Sequence, residues 1–138
     1  MTIFLDTSFV VAVYNAQDEN HTKAIGIGAD LREGVYGHAY TSDFVFDEAV
    51  TLAWVRTRRR ALALRVGRFF FPEEGKPAPA TMLHVDEGTV KNAWESWVRH
   101  EAPLSLTDWT IVAQTQALRI EHVASFDSKL DPWVSRVH

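Results

Sequence analysis

Short, mostly apolar runs separated by longer helical patterns constrain this chain more than any other feature. TIFL (2–5), TMLHV (81–85) and HVASF (122–126) are each four or five residues long. Runs of that length are too short for helices and read as strands, and a continuous apolar run without alternation reads as a strand covered on both faces, as in a parallel sheet. A further short strand is expected within GVYGHAYTS (34–42), after a loop. Helices are expected over TSFVVAVYNAQ (7–17), with Thr7 and Ser8 capping, and over DENHTKAIGIGADLRE (18–33), DFVFDEAVTLAWVRTRR (43–59), RRALALRVGRFFF (59–71) and DEGTVKNAWESWVRHE (86–101). In the last of these, Val90, Ala93, Trp94, Trp97 and Val98 recur at helical spacing. A final helix is expected to start near Asp108 in SLTDWTIVAQTQAL, and PEEGKPAPA (72–80), with three of the five prolines, is the clearest loop. Strands that alternate with helices predict an α/β domain around a mostly parallel sheet.

At 138 residues and 46% apolar content, one domain spanning 1–138 with a real core is expected. No apolar run approaches the ~20 residues of a membrane helix, and the N-terminus lacks the basic segment of a secretory signal. Cysteine is absent, which excludes disulfides, thiol nucleophiles and cysteine-ligated zinc. It also fits a reducing, cytoplasmic location. The net charge of −4 argues against a general nucleic-acid coat, although averages hide local fields.

The acids carry the chemical signal. Asp6 follows the first predicted strand and Asp127 follows the HVASF strand. Ligands of open α/β sheets bind beyond the carboxyl ends of strands. Asp108 stands at a helix start, where the dipole favours anions, and Glu48 lies inside an otherwise apolar helix. Each has an ordinary reading alone. Asp6 could cap a helix, Asp108 could be a first-turn acid behind Thr107 as N-cap, Glu48 could be solvent-exposed, and Asp127 could form a turn. Together, four acids on four elements could meet at one point. Converging carboxylates repel unless a cation joins them, and Mg²⁺ or Mn²⁺ are the hard ions that prefer oxygen ligands. Such ions can activate water and stabilise the leaving oxygen of a phosphodiester. Of the 18 acids, removing these four leaves 14, which equals the Lys+Arg count. The whole formal charge could therefore sit in one metal-binding cluster.

FLDTSFVVAV, TSDFVFDEAVTL, LSLTDWTIVAQTQAL and HVASFDSKL together resemble a PIN domain over roughly residues 3–130. More narrowly, they resemble the single-domain VapC-type toxin ribonucleases of bacterial and archaeal toxin–antitoxin pairs. The resemblance implies a three-layer α/β/α fold and Mg²⁺- or Mn²⁺-dependent endoribonuclease activity, with Asp6, Glu48, Asp108 and Asp127 as the catalytic, metal-binding acids. Ser8 and Thr107 would hold water or orient the acids from behind them. It also implies an RNA substrate, a homodimer and a small antitoxin covering the groove.

Residues 49–72 contain Arg56, Arg58, Arg59, Arg60, Arg65 and Arg68 and no acid. If the helix carrying Glu48 ran on unbroken, Arg59 would return to the same face about three turns later. Arg56 and Arg59 are therefore the candidate phosphate contacts, against the alternative of a solvated face or a dimer contact. Phe69, Phe70, Phe71, Trp94 and Trp97 could stack bases, but core or partner-interface packing is the expected role. The histidines show neither metal-ligand spacing nor pairing with a nucleophile. A haloacid-dehalogenase-type phosphatase would need an acid two residues after Asp6, where Ser8 stands. EEGKP (73–77) lacks P-loop glycine spacing, and a non-catalytic PIN-like scaffold would be expected to have lost acids.

Overall fold

The computed structural model describes all residues, 1–138. The elements run β1 (Thr2–Leu5), α1 (Thr7–Tyr14), α2 (His21–Arg32), β2 (His38–Ser42), α3 (Asp43–Thr57), α4 (Arg60–Phe70), β3 (Thr81–Leu83), α5 (Glu87–Arg99), α6 (Leu106–Leu118), β4 (His122–Ala124), a 3-10 turn (Ser128–Leu130) and β5 (Arg136–Val137). The five strands form one sheet in the order β3-β2-β1-β4-β5, and every pairing is parallel. Six helices flank it, which gives the expected three-layer α/β/α architecture. No helix is long and apolar enough to cross a membrane.

β1 is central because Ile3, Phe4 and Leu5 are all buried, as a strand covered on both faces requires. The chain steps outward from β1 to β2 and β3. It then returns through α5 and α6 to β4 on the opposite side of β1. Right-handed crossovers on these two paths send their helices to opposite faces. Packing agrees: α1 lies against α2, α3 and α4, and α5 lies against α6. The larger core cluster joins β1 to α1–α4, whereas a smaller one gathers Ala93, Leu104, Trp109, Val112 and Leu130. The reversal of strand order between β2-β1 and β1-β4 makes the carboxyl end of β1 a switch point.

Several boundaries differ from those the sequence suggested. Asp6, not Thr7 or Ser8, caps α1, accepting the Thr7 N–H. Thr7 and Ser8 are already helical. α3 does not run on to Arg59. It ends at Thr57, Arg58 turns left-handed at φ 54°, and α4 starts afresh with Arg59 as its capping residue. The strand in HVASF stops at Ala124, and β5 pairs with β4 where only a tail was expected. Phe69 and Phe70 are buried while Phe71 is exposed. Trp94 and Trp97 are not core residues. They are 52% and 47% exposed and stack on each other at 5.5 Å, and Ala93 is the only buried residue of α5.

Candidate active site

A cleft of about 480 Å³ opens at the carboxyl end of β1 and is lined by Asp6, Glu48, Asp108 and Asp127. All four acids singled out in the sequence meet there, each from a different element. The Asp6 N–H bonds to Ala124 O at 3.1 Å, which extends the β1–β4 ladder to the acid itself. Its side chain is only 3% exposed. Oδ1 accepts the Thr7 N–H at 2.6 Å, and Oδ2 accepts the Ser125 hydroxyl at 2.6 Å, with Ser8 Oγ 3.4 Å away.

Ser125 is the residue contacting the acids that sequence reasoning missed. It is fully buried, donates to Asp6 and accepts the Asp127 N–H at 3.1 Å, so one hydroxyl ties two of the four acids together. Ser8 Oγ accepts the Phe126 N–H at 2.9 Å and fixes the same loop. A single serine two residues before Asp127 carries no periodic signal in the sequence.

Asp108 has two roles in the geometry. Ser105, not Thr107, is the N-cap of α6. Ser105 Oγ accepts the Asp108 N–H at 3.1 Å, and Asp108 Oδ2 accepts the Ser105 N–H at 2.9 Å, a reciprocal capping box. Thr107 lies one residue inside the helix and its carbonyl accepts the Thr110 hydroxyl. The same Asp108 is 8% exposed and lines the cleft, so helix start and site are one residue.

The electrostatics match a cluster short of counter-charge, with Arg56 beside Glu48 and Lys129 beside Asp108 as its only cations. Burial raises the Asp6 carboxyl to about 7, opposed by the Ser125 hydrogen bond and reinforced by the charges of Asp108 and Glu48. Burial likewise raises Asp108, against the Ser105 hydrogen bonds and with the Asp127 charge adding to it. It also raises Glu48, with Asp108 adding and the nearby hydroxyls of Thr7 and Thr107 opposing. Thr107, though not a cap and not in the cleft wall, thus stands beside Glu48. Thr7 Oγ1 is buried at the base of the acidic pocket, beside Glu48 but without a hydrogen bond of good geometry.

These features fit a hard divalent cation. The donors are all oxygens, and the carboxylates are short of positive charge. No three acidic or histidine side chains are gathered closely enough to cage an ion by themselves. That suits an ion held through one or two carboxylates and its own waters.

Arg56 lines the cleft, whereas Arg59 does not; the break after Thr57 removes the unbroken helix on which Arg59's placement depended. Asp18, Glu19, Asn20 and Lys129 also line it, four residues the sequence reading passed over. Asp18 Oδ1 accepts the Asn20 N–H at 2.8 Å, so this wall is a turn before α2 and not the start of that helix. His84 pairs with Asp43 at 2.7 Å away from the cleft, a pairing the sequence pattern had not suggested.

A family model described as PIN domain matches residues 3–132. The chain belongs to the PIN domain family. Among solved structures it is similar to VapC20 of Mycobacterium tuberculosis, a toxin that cleaves the sarcin–ricin loop. The TM-score is 0.82 with 27% sequence identity, covering 94% of this chain and 93% of that one. No curated protein sequence matches the chain. In this PIN domain the four acids lie at the switch point of the parallel sheet.

Proposed function

We propose that this PIN domain, acting as one unit over residues 1–138, is a Mg²⁺- or Mn²⁺-dependent endoribonuclease and the cytoplasmic toxin of a toxin–antitoxin pair. The observation that carries the reading is the meeting of Asp6, Glu48, Asp108 and Asp127 in one cleft, where burial and mutual repulsion push Asp6 up to about 7. Family membership supports nuclease chemistry, and the likeness to VapC20 supports the RNA substrate and the toxin role.

In this reading the four acids hold the ion directly or through water. When bound, such an ion supplies a water of lowered pKa and a counter-charge for the leaving oxygen. The chain's own residues do the rest. Ser125 and Ser8 orient Asp6, and Ser125 also fixes the backbone of Asp127. Thr107 sits behind Glu48. Arg56 faces the cleft as a phosphate contact. Exposed apolar surface supports the homodimer and antitoxin parts of the reading. Trp54, Leu64 and Phe71 line a groove between α3 and α4, and the Trp94–Trp97 stack marks the outer face of α5. Contiguous apolar patches of this kind mark interaction sites.

The test is cleavage of RNA by the purified protein. EDTA should abolish it, added Mn²⁺ should restore it, and Asp6→Asn should remove it. Undiminished cleavage in EDTA would sink the metal part of the reading.

A further inference from the structure

Six carboxylates line the cleft: those of Asp6, Asp18, Glu19, Glu48, Asp108 and Asp127. Only two cations accompany them, Arg56 and Lys129. An RNA strand brings one negative charge per nucleotide to this surface, so its approach needs fixed positive charge as well as bound metal. The two cations are placed to supply it. α3, which carries Arg56, follows β2; the 3-10 turn that carries Lys129 follows β4. β1, with Asp6 at its end, lies between those two strands. The cations therefore come from elements on either side of the strand that ends in Asp6.

Neither cation is engaged elsewhere. The salt bridges of the protein are Arg68–Glu73, Lys76–Glu73, His84–Asp43 and Arg136–Asp131, and none includes Arg56 or Lys129. Both sit in an acid-lined cleft without forming an ion pair within it. The base of Lys129 is nonetheless fixed. Its N–H bonds to Asp127 Oδ1 at 3.0 Å, and the next residue, Leu130, is fully buried. The turn that presents Asp127 to the cleft thus also holds the root of the Lys129 side chain at the rim.

We propose that Lys129 is a substrate-binding residue that, with Arg56, clamps the single-stranded RNA backbone over the cleft from either side of Asp6. The proposal rests on the nuclease reading and assigns Lys129 to binding the phosphate chain, not to holding metal. Because the contact is a point charge on phosphate, arginine should replace it and a neutral side chain should not.

The experiment measures binding of a short, mixed-sequence, fluorescein-labelled single-stranded RNA by anisotropy across a salt series, with Ca²⁺ in place of Mn²⁺ to limit cleavage. Lys129→Gln should lower the slope of log K against log salt by about 0.7, the single-strand value per phosphate contact, and so weaken binding about five-fold near 0.1 M salt. Lys129→Arg should stay within about two-fold of the wild-type affinity. Pairing Lys129→Gln with Arg56→Gln should lower the slope by about 1.4. The Mn²⁺-induced rise in melting temperature should be unchanged in Lys129→Gln. An unchanged slope and affinity in Lys129→Gln, with a wild type that cleaves RNA in Mn²⁺, overturns the clamp and leaves the nuclease reading standing. A shifted Mn²⁺ response with an unchanged slope makes Lys129 an internal counter-charge and also overturns it. A wild type that neither binds nor cleaves RNA removes the nuclease reading, and the clamp with it.

Discussion

Asp108 donates its N–H to the Ser105 hydroxyl and accepts the Ser105 N–H with Oδ2, yet a carboxylate has lone pairs beyond that one bond. Its two roles therefore separate by substitution. Asp108→Asn keeps an oxygen for the Ser105 N–H and should hold most of the stability, while Mn²⁺ affinity falls by at least the 10–100-fold seen for losses around metal sites. Ser105→Ala should do the reverse, costing about 1 kcal/mol with little change in rate. Urea unfolding and single-turnover cleavage on both variants check this; Asp108→Asn cleaving within about three-fold of wild type would reduce Asp108 to a helix-start residue. Asp6→Asn should leave melting in EDTA unchanged or raised, because it removes a buried charge that Asp108 and Glu48 repel and retains an acceptor for the Thr7 N–H. A large loss of stability in EDTA would show that capping outweighs repulsion. Ser125→Ala should lower Mn²⁺ affinity by about 10–100-fold, read by titration of the folded protein. The four acids were legible because each sits at a strand end, a helix start or an apolar helix face. Ser125 was not, since a lone serine in ASFD has no period to betray it. SLTD did contain the Ser-x-x-acid spacing of a capping box, which favours Ser105 over Thr107 without needing coordinates.

At the scale of elements, α3 is anchored at its start as well as along its face. Asp43 Oδ1 accepts the N–H groups of Phe44 and Val85 at 3.0 and 2.9 Å, and Oδ2 receives His84 Nδ1 at 2.7 Å. The helix that carries Glu48 and Arg56 is thereby pinned to the end of β3. Burial alone would raise the Asp43 carboxyl, but the bonds from Val85, His84 and Phe44 together hold it below its ordinary value. The sign follows from linkage. The folded value lies below the unfolded one, so the contribution is full above the unfolded pKa of about 3.9 and fades as pH drops through the folded value. Asp43→Asn should therefore be less stable than wild type at neutral pH, and the gap should close in acid below about pH 4. Urea midpoints of the pair at several pH values check it, and a gap that persists undiminished in acid would rule out the charge as its source. The strand–helix alternation that gave α1 to α6 was plain in the sequence because apolar runs and helical spacing differ in period. The α3–α4 break was not. TRRR contains no glycine or proline, and only Arg58's left-handed backbone marks the turn. β5 is two residues long and exists through its pairing with β4, which no local pattern records.

At the scale of the whole molecule, the formal charge of −4 is matched by a cleft that gathers the four acids. Cation binding to the folded state should then stabilise the entire chain by mass action, by about 2.7 kcal/mol at a hundred times Kd. For a chain of this size that is a rise in melting temperature of several degrees. Calorimetry with Mn²⁺ against EDTA measures it, and the rise should shrink in Asp6→Asn. No rise in the wild type at saturating Mn²⁺ would leave the cleft without the ion assigned to it. The Ser125–Asp6 hydrogen bond spans 119 positions of sequence, and the acids it helps to place begin at Asp6 and end at Asp127. The acid cluster is therefore complete only in a chain that extends past Asp127. A chain still emerging from the ribosome, or one clipped before β4, carries three of the four acids without the strand that aligns the first. If the proposed reading holds, no nuclease activity can precede the synthesis of Asp127, and a fragment ending before it should cleave no RNA.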